Sequence, residues 1–386
     1  MISFAGILFL LSCAFLFYVI AGYPLLLRVL AKASAKPIKK TAYLPSIAVI
    51  IPVRNGGQYI RRKLESVLQL DYPRESVEIL VISDGSTDQT DDLVNEYADR
   101  GVKLLRVPHG GKPAALNAGV PLTKNEILVL TDIRQPLEPC SVRALVRCFA
   151  DPAVGVVSGE LTIRRGDNMA ETNIGLYWKF ETWIRNRLSD IDSMLGATGP
   201  FYAVRRELMV TMPPETLLDD LYVPLSAFFK GFRLVVEPAA KAYDDPTSLS
   251  TEFRRKVRTL AGNYQIMRQY PALLTLRNRM WIHYVSYKLG RLLLPFSLIA
   301  IAVTSFWLPF RWLAVAALAA QAAVYGLAAL DYFDNWLPEQ FILKRLSSVS
   351  RTFVVMMCAA LCALSVFFVS PQKLWTPTKT RTSGTN

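Results

Sequence analysis

With 386 residues the chain has room for two or three domains, or for one domain and a membrane region. Apolar residues make up 52% and charged residues 19%, with a mean hydropathy of +0.26; this excludes a disordered chain and argues against a wholly water-soluble one. A net charge of +13 leaves nucleic acid, anionic lipid and phosphate-bearing ligands open as partners.

Residues 1–27 carry no charge, and a bilayer core needs only ~20 helical residues to be crossed. The run lacks a basic leader and is long for a signal peptide, so it predicts a retained membrane anchor. Arg28, Lys32, Lys36, Lys39 and Lys40 follow. The positive-inside rule places them, and the polar middle of the chain, on the cytosolic side.

From about Tyr43 the texture changes. Residues 47–53 (IAVIIPV) form an unbroken apolar run, as a strand buried on both faces requires. A helical pattern follows over 58–70. Strands are then expected over 78–83, 103–107 and 126–131, with helices near 89–98 and 112–118. This alternation predicts a doubly wound, mostly parallel sheet. In such sheets ligands bind outside the carboxyl ends of the strands. Pro52-Val53-Arg54-Asn55-Gly56-Gly57, Asp84-Gly85-Ser86-Thr87-Asp88 and Thr131-Asp132-Ile133-Arg134 all end strands at that rim. The loop His109-Gly110-Gly111-Lys112 brings a cation to a helix start, a combination suited to phosphate. Such junctions are rich in Gly, Asp and Ser for structural reasons as well, but their convergence on one rim points to a ligand. Neither G-x-G-x-x-G after the first strand nor a P-loop is present.

Five cysteines, none in a C-x-x-C pair, and two histidines predict neither a disulfide framework nor a zinc site. Trp178, Phe180 and Trp183 follow helical spacing, which favours core or membrane-interface contacts over a sugar platform. Asp219-Asp220 has two readings, a general base with a neighbour that tunes its pKa, or acids capping a helix. The basic run Arg254-Arg255-Lys256-Val257-Arg258 suits a leaving diphosphate or an anionic lipid surface. Nucleic acid is the weakest reading, because interleaved aromatics are missing. Residues 292–310 and 312–330 are uncharged and separated by Arg311, which predicts a helical hairpin. Residues 352–372 are a fourth uncharged stretch with basic flanks on both sides; a fourth span is favoured over a re-entrant segment.

Taken together, "IPVRN…SDGSTDQT…GGKPAALNAG…LTDIRQ", "GATGPFYAVRRE", "LLDDLYVPL" and "RRKVRTLAG" resemble family 2 glycosyltransferases of the GT-A fold. With apolar segments at both ends, the chain is similar to the membrane-embedded branch that includes cellulose, hyaluronan and poly-N-acetylglucosamine synthases. The resemblance implies an α/β, Rossmann-like GT-A domain over 43–280. It also implies an anchor over 1–30, a membrane region over 288–372 and a basic tail over 373–386. It implies an inverting transfer from a nucleotide-sugar, with a UDP-sugar expected, to a lipid-linked or membrane-associated glycan. The enzyme would serve envelope or exopolysaccharide synthesis from the inner membrane, with its catalytic domain cytosolic and partner subunits of an assembly system possible. Position by position, Asp84 matches the aspartate at the uracil or ribose, and Lys112 a lysine near the nucleotide. Asp132 matches the first aspartate of D-x-D, which holds the diphosphate through Mg2+ or Mn2+. Asp220 matches the general base, with Asp219 beside it, and Arg258, with Arg255, lies where Q-x-x-R-W binds the diphosphate. Pro52, Arg54 and Asn55 are expected to line the donor site, and Gly199, Pro200 and Phe201 the acceptor side.

Three positions depart from the family pattern. Gly56 replaces a carboxylate, Arg134 replaces the last D-x-D aspartate, and Arg255 and Thr259 replace the Gln and Trp of Q-x-x-R-W. The second opens Arg134 as a direct partner of the diphosphate, and the third puts processive polymerisation in question. Two alternatives stand beside this reading: a polyprenyl-phosphate glycosyltransferase, which needs no base, and an inactive scaffold subunit of an export complex.

Overall fold

The computed structural model describes residues 3–164, 169–245, 247–333 and 342–374, and the chain divides into two compact units. One, the sheet unit, comprises Leu30–Arg164 and Thr182–Asp244. The other, the helical unit, comprises Met1–Val29, Arg165–Glu181 and Asp245–Asn386.

In the sheet unit, strands β1 (Ile47–Val53), β2 (Val77–Asp84), β3 (Val102–Val107) and β4 (Ile127–Thr131) stand where the apolar runs predict them. Strands β5 (Val154–Ile163), β6 (Phe201–Arg205) and β7 (Arg233–Asp244) complete a seven-stranded sheet of order β3-β2-β1-β4-β6-β5-β7. β6 runs antiparallel to β4 and β5, and the other pairings are parallel. All seven residues of β1 are buried, because helices cover both faces of a doubly wound sheet. The helix Gly57–Leu68 packs Ile60, Leu64 and Val67 into the same core as Ile47, Val49 and Ile51. The helix Gly111–Gly119 lies so close to β2 that a Cβ on Gly119 would stand 2.2 Å from Ile82.

Strand order reverses at β1: β2 and β3 are added on one side, β4 on the other. The ladder between β1 and β4 ends at Ile50↔Leu130, whereas that between β1 and β2 continues to Val53↔Ser83. The strands therefore part at their carboxyl ends, at the switch point where ligands bind in this architecture.

Part of the basic flank after the first apolar segment has local partners. Lys36 pairs with Asp192 at 2.9 Å and Lys40 with Glu237 at 2.7 Å, while Arg233 donates to the Lys36 carbonyl at 3.0 Å. These charges strap the leading segment to the sheet unit in addition to any role at a membrane surface.

Among the described residues four helices are long and apolar enough to cross a membrane: Phe4–Ala33, Trp281–Ser305, Arg311–Phe333 and Ile342–Phe367. The second begins eleven residues before the expected 292 and the fourth ten before 352. Uncharged windows miss these turns because they carry cations, and in the fold three of those cations are paired with acids. Arg291 and Tyr287 bond Glu181, and Lys344 and Arg351 meet Asp331 at 3.0 and 3.3 Å. A paired charge can lie in an apolar setting that excludes a lone one.

Candidate active site

At the carboxyl rim of β1, Asn55 adopts a left-handed conformation with φ of +50°. Its amide donates to Ser86 Oγ at 3.1 Å and its Oδ1 accepts from the Thr87 amide at 2.8 Å, which holds this turn against the one after β2. Gly56 follows, where the family pattern has a carboxylate. A Cβ there would lie 2.5 Å from Val53 Cγ2 and 3.2 Å from Ile133 Cγ1. A side chain at this position would crowd Val53 and Ile133. Pro52 is a buried strand residue, while Arg54 is exposed.

Asp84 ends β2 and is nearly buried. Its Oδ1 accepts from the amides of Gly110 at 2.7 Å and Gly111 at 3.1 Å, and its Oδ2 from Gly111 at 3.0 Å. His109 Nδ1 stands 2.9 Å from Oδ2, and Arg54 Nη1 stands 2.8 Å from His109 Nε2. An arginine can only donate, so Nε2 accepts and Nδ1 carries the proton that bonds Asp84. Asp84 was expected at the base or ribose; here it pins the His109–Gly111 turn, and the groups it presents outward are His109 and Arg54. The turn also needs its glycines: Gly85 has φ of +63°, and a Cβ on it would meet the His109 amide at 2.9 Å.

That turn starts the helix Gly111–Gly119 and aims Lys112 across the switch point. Lys112 Nζ lies 2.8 Å from Asp132 Oδ1, just past β4, and 3.0 Å from Asp219 Oδ2. Burial would lower the lysine pKa, but Asp132 and Asp219 outweigh it and hold the ammonium well above its ordinary value. Burial would likewise raise Asp132, yet Lys112, with help from Arg134 and Lys63, keeps its carboxyl below the usual range. Lys112 and Asp132 are therefore both ionised near neutral pH.

Asp219 and Asp220 open the helix Asp219–Phe229, whose N-cap is Leu218. They occupy its first turn, where negative charge suits the helix dipole, and are not its caps. The loop 196–200 closes over them. The Ala197 amide donates to the Asp220 carbonyl at 2.7 Å, and the Pro200 carbonyl accepts from Thr131 Oγ1 at 2.8 Å and the Asp132 amide at 3.1 Å. A Cβ on Gly199 would stand 2.9 Å from Asp220 Oδ2. Gly199→Ala is thus expected to displace that carboxylate and lower turnover about tenfold with the fold intact; steady-state kinetics and a melting curve check it. Phe201 does not fit the expected acceptor side. Its side chain is fully buried and lies against Gly159, because alternation along β6 points it into the core.

Arg134, expected at the diphosphate, has an acid of its own. Its Nη2 meets Asp244 Oδ2 at 2.9 Å, and Gln135 Nε2 meets the same oxygen at 2.7 Å. Arg255 and Arg258 lie on the helix Leu249–Gln269 of the helical unit, where Arg255 pairs with Glu252 at 3.4 Å and lies over the Trp178 ring.

Two further buried residues stand beside the cluster; Tyr202 ends the turn 196–202 that resembles the family's acceptor-side loop, and Lys63 escaped the sequence reading. Tyr202, the neighbour of Phe201, is buried beside the acids; burial, then Asp219, Asp220 and Asp132, push its phenol pKa well up. Lys63 is buried beneath the Asp132 turn, where burial pulls its ammonium down to about 7 against the pull of Asp132. A lysine on the Ile60–Leu64–Val67 stripe was its only signal.

Among the described residues no three His, Cys, Asp or Glu side chains gather as a metal site. A Mg2+-type ion held by one or two carboxylates together with substrate phosphates needs no such cage, so the partly exposed Asp132 fits it.

A doubly wound, mostly parallel sheet with one antiparallel strand is the GT-A fold. Residues 48–210 match the family Glycosyl transferase family 2, and residues 134–330, about half of the chain, match Glycosyl transferase family group 2. The chain belongs to the family 2 glycosyltransferases. A mannosyltransferase from Pyrobaculum calidifontis, solved in complex with GDP-Man and Mn2+, superposes with a TM-score of 0.69 at 22% identity, covering 94% of this chain and 99% of that one. The beta-monoglucosyldiacylglycerol synthase of Nostoc sp. is 27% identical over 254 residues, 61% of this chain and 53% of that protein. The poly-beta-1,6-N-acetyl-D-glucosamine synthase of Staphylococcus aureus is 22% identical over 240 residues, 60% of this chain and 58% of that protein. The chain spans less than two thirds of the length of these curated relatives.

Proposed function

We propose that the chain transfers one sugar, with inversion, from a nucleoside-diphosphate sugar to a membrane-associated acceptor, a lipid or lipid-linked glycan. The observation that carries this reading is Lys112 held between Asp132 and Asp219 at the switch point. An inverting transfer needs a base for the acceptor hydroxyl and positive charge for the leaving diphosphate. Asp220 takes the proton of the acceptor hydroxyl. Lys112 faces the diphosphate as it departs. Gly199 and Pro200 shape the acceptor side of Asp220, and Arg54 with His109 borders the nucleoside. A divalent ion, Mg2+ or Mn2+, held by Asp132 would supply further charge neutralisation of the diphosphate.

Support comes from the relatives. One is named for a glucosyl lipid and one for a polysaccharide, and the similar solved enzyme holds a nucleotide-sugar with Mn2+. The four apolar helices and the basic residues 28–40 support an inner-membrane protein with a cytosolic sheet unit. The test is a screen of UDP- and GDP-sugars for donor hydrolysis by the purified full chain, with Mn2+ and with EDTA. The expected result is turnover of one nucleotide class, at least tenfold lower under EDTA. No hydrolysis and no nucleotide binding under any condition would favour the scaffold alternative.

A further inference from the structure

Lys63 is 1% exposed, on the core-facing side of the helix Gly57–Leu68. A buried ammonium is costly unless its protons find acceptors, and a well-packed apolar residue is often as stable in such a place. Lys63 Nζ donates to Thr131 Oγ1 at 2.6 Å and to the carbonyl of Gln135. These two acceptors are the two ends of the turn 131–135, whose second residue is Asp132. Each end is tied onward. Thr131 Oγ1 donates to the Pro200 carbonyl at 2.8 Å, in the loop that packs on Asp220, and the Gln135 amide donates to Asp244 at 2.7 Å. One ammonium thus clamps the turn that carries Asp132 and, through Thr131, joins it to the acceptor-side loop. The clamp lies within the sheet unit.

We propose that Lys63 is a positioning residue for donor binding: by holding Thr131 and Gln135 together it sets where the Asp132 carboxylate stands. The inference rests on the donor-binding role proposed above for Asp132. The test is a thermodynamic cycle on the full chain in detergent micelles. Binding of UDP or GDP, whichever the native protein takes up more tightly, is measured with Mn2+ for native, Lys63→Met, Asp132→Asn and the double variant, and each is melted. Lys63→Met is expected to weaken nucleotide binding about tenfold with little change in melting temperature, and to cost nothing further once Asp132 is Asn. An equal loss in both backgrounds, or none in either, overturns the proposal. If Lys63→Met does not fold, Thr131→Val removes one acceptor and carries the same cycle, with about a threefold loss expected and the same overturning pattern. Absence of nucleotide binding by the native protein, or full binding by Asp132→Asn alone, overturns instead the role given to Asp132.

Discussion

Asp220→Asn is expected to lower sugar transfer by about 10²–10⁴-fold while changing the donor KM less than about threefold. Asparagine has the shape of aspartate but cannot take a proton. The backbone of Asp220 is anchored by the Ala197 amide at 2.7 Å, and its side chain rests against Gly199, so the amide should occupy the carboxylate's place. Donor binding should persist because Lys112, Asp132 and Asp219 remain. The measurement is steady-state kinetics in liposomes with the donor found by screening. Near-normal turnover would move the assignment to the polyprenyl-phosphate alternative, where the acceptor is already an anion and no base is required.

Lys112→Met should have the second largest effect, on stability as well as donor binding. It leaves Asp132 and Asp219 facing each other without their shared cation. Removing one partner of a buried ion pair costs about 3–5 kcal/mol, and Asp132 is partly exposed, so about 2–4 kcal/mol is expected here. The pH dependence separates this from a simple packing loss. In the native protein Asp132 has a depressed pKa, so its contribution is present above the ordinary carboxylate pKa and is lost as pH falls through the lower folded value. Lys112 has a raised pKa, so its contribution is full below the ordinary lysine value and is lost only as pH rises through the higher folded one. Between about pH 8 and pH 4 the native protein should therefore hold its stability and then begin to lose it. In Lys112→Met the facing carboxylates repel, protonation relieves them, and stability should rise over the same descent. Melting curves across that range check the opposite slopes. Parallel curves would show that the acids are not coupled through Lys112.

Much of the sheet unit was legible because its signals are local. Unbroken apolar runs such as 47–53 mark strands buried on both faces, and Gly- and Asp-rich turns mark their carboxyl rim. Placing Lys112, Asp132 and Asp219 near one another required only the strand order that this alternation implies, together with the family resemblance. The antiparallel strand β6 was not legible: Phe201–Arg205 is five residues long, and its pairing with β4 and β5 is a matter of contacts far apart in the chain. The spans in the helical unit were placed by uncharged windows. Those windows fail where Arg291 and Lys344 are neutralised by Glu181 and Asp331, acids distant in sequence or across a connection.

The excess of positive charge in the composition shows the same division. By itself the sequence determined the class of fold and the rim at which the polar turns gather, because each follows from short-range pattern. Only the tertiary structure decided which cations stand at that rim. Lys112 is held between two carboxylates, Arg134 is drawn to Asp244, Lys36 and Lys40 bind the edge of the sheet unit, and Lys63 is buried beneath Asp132. The physical reason is that a side chain's charge is known from its identity, whereas its partner, and hence its role, is chosen by packing between segments that the sequence keeps apart.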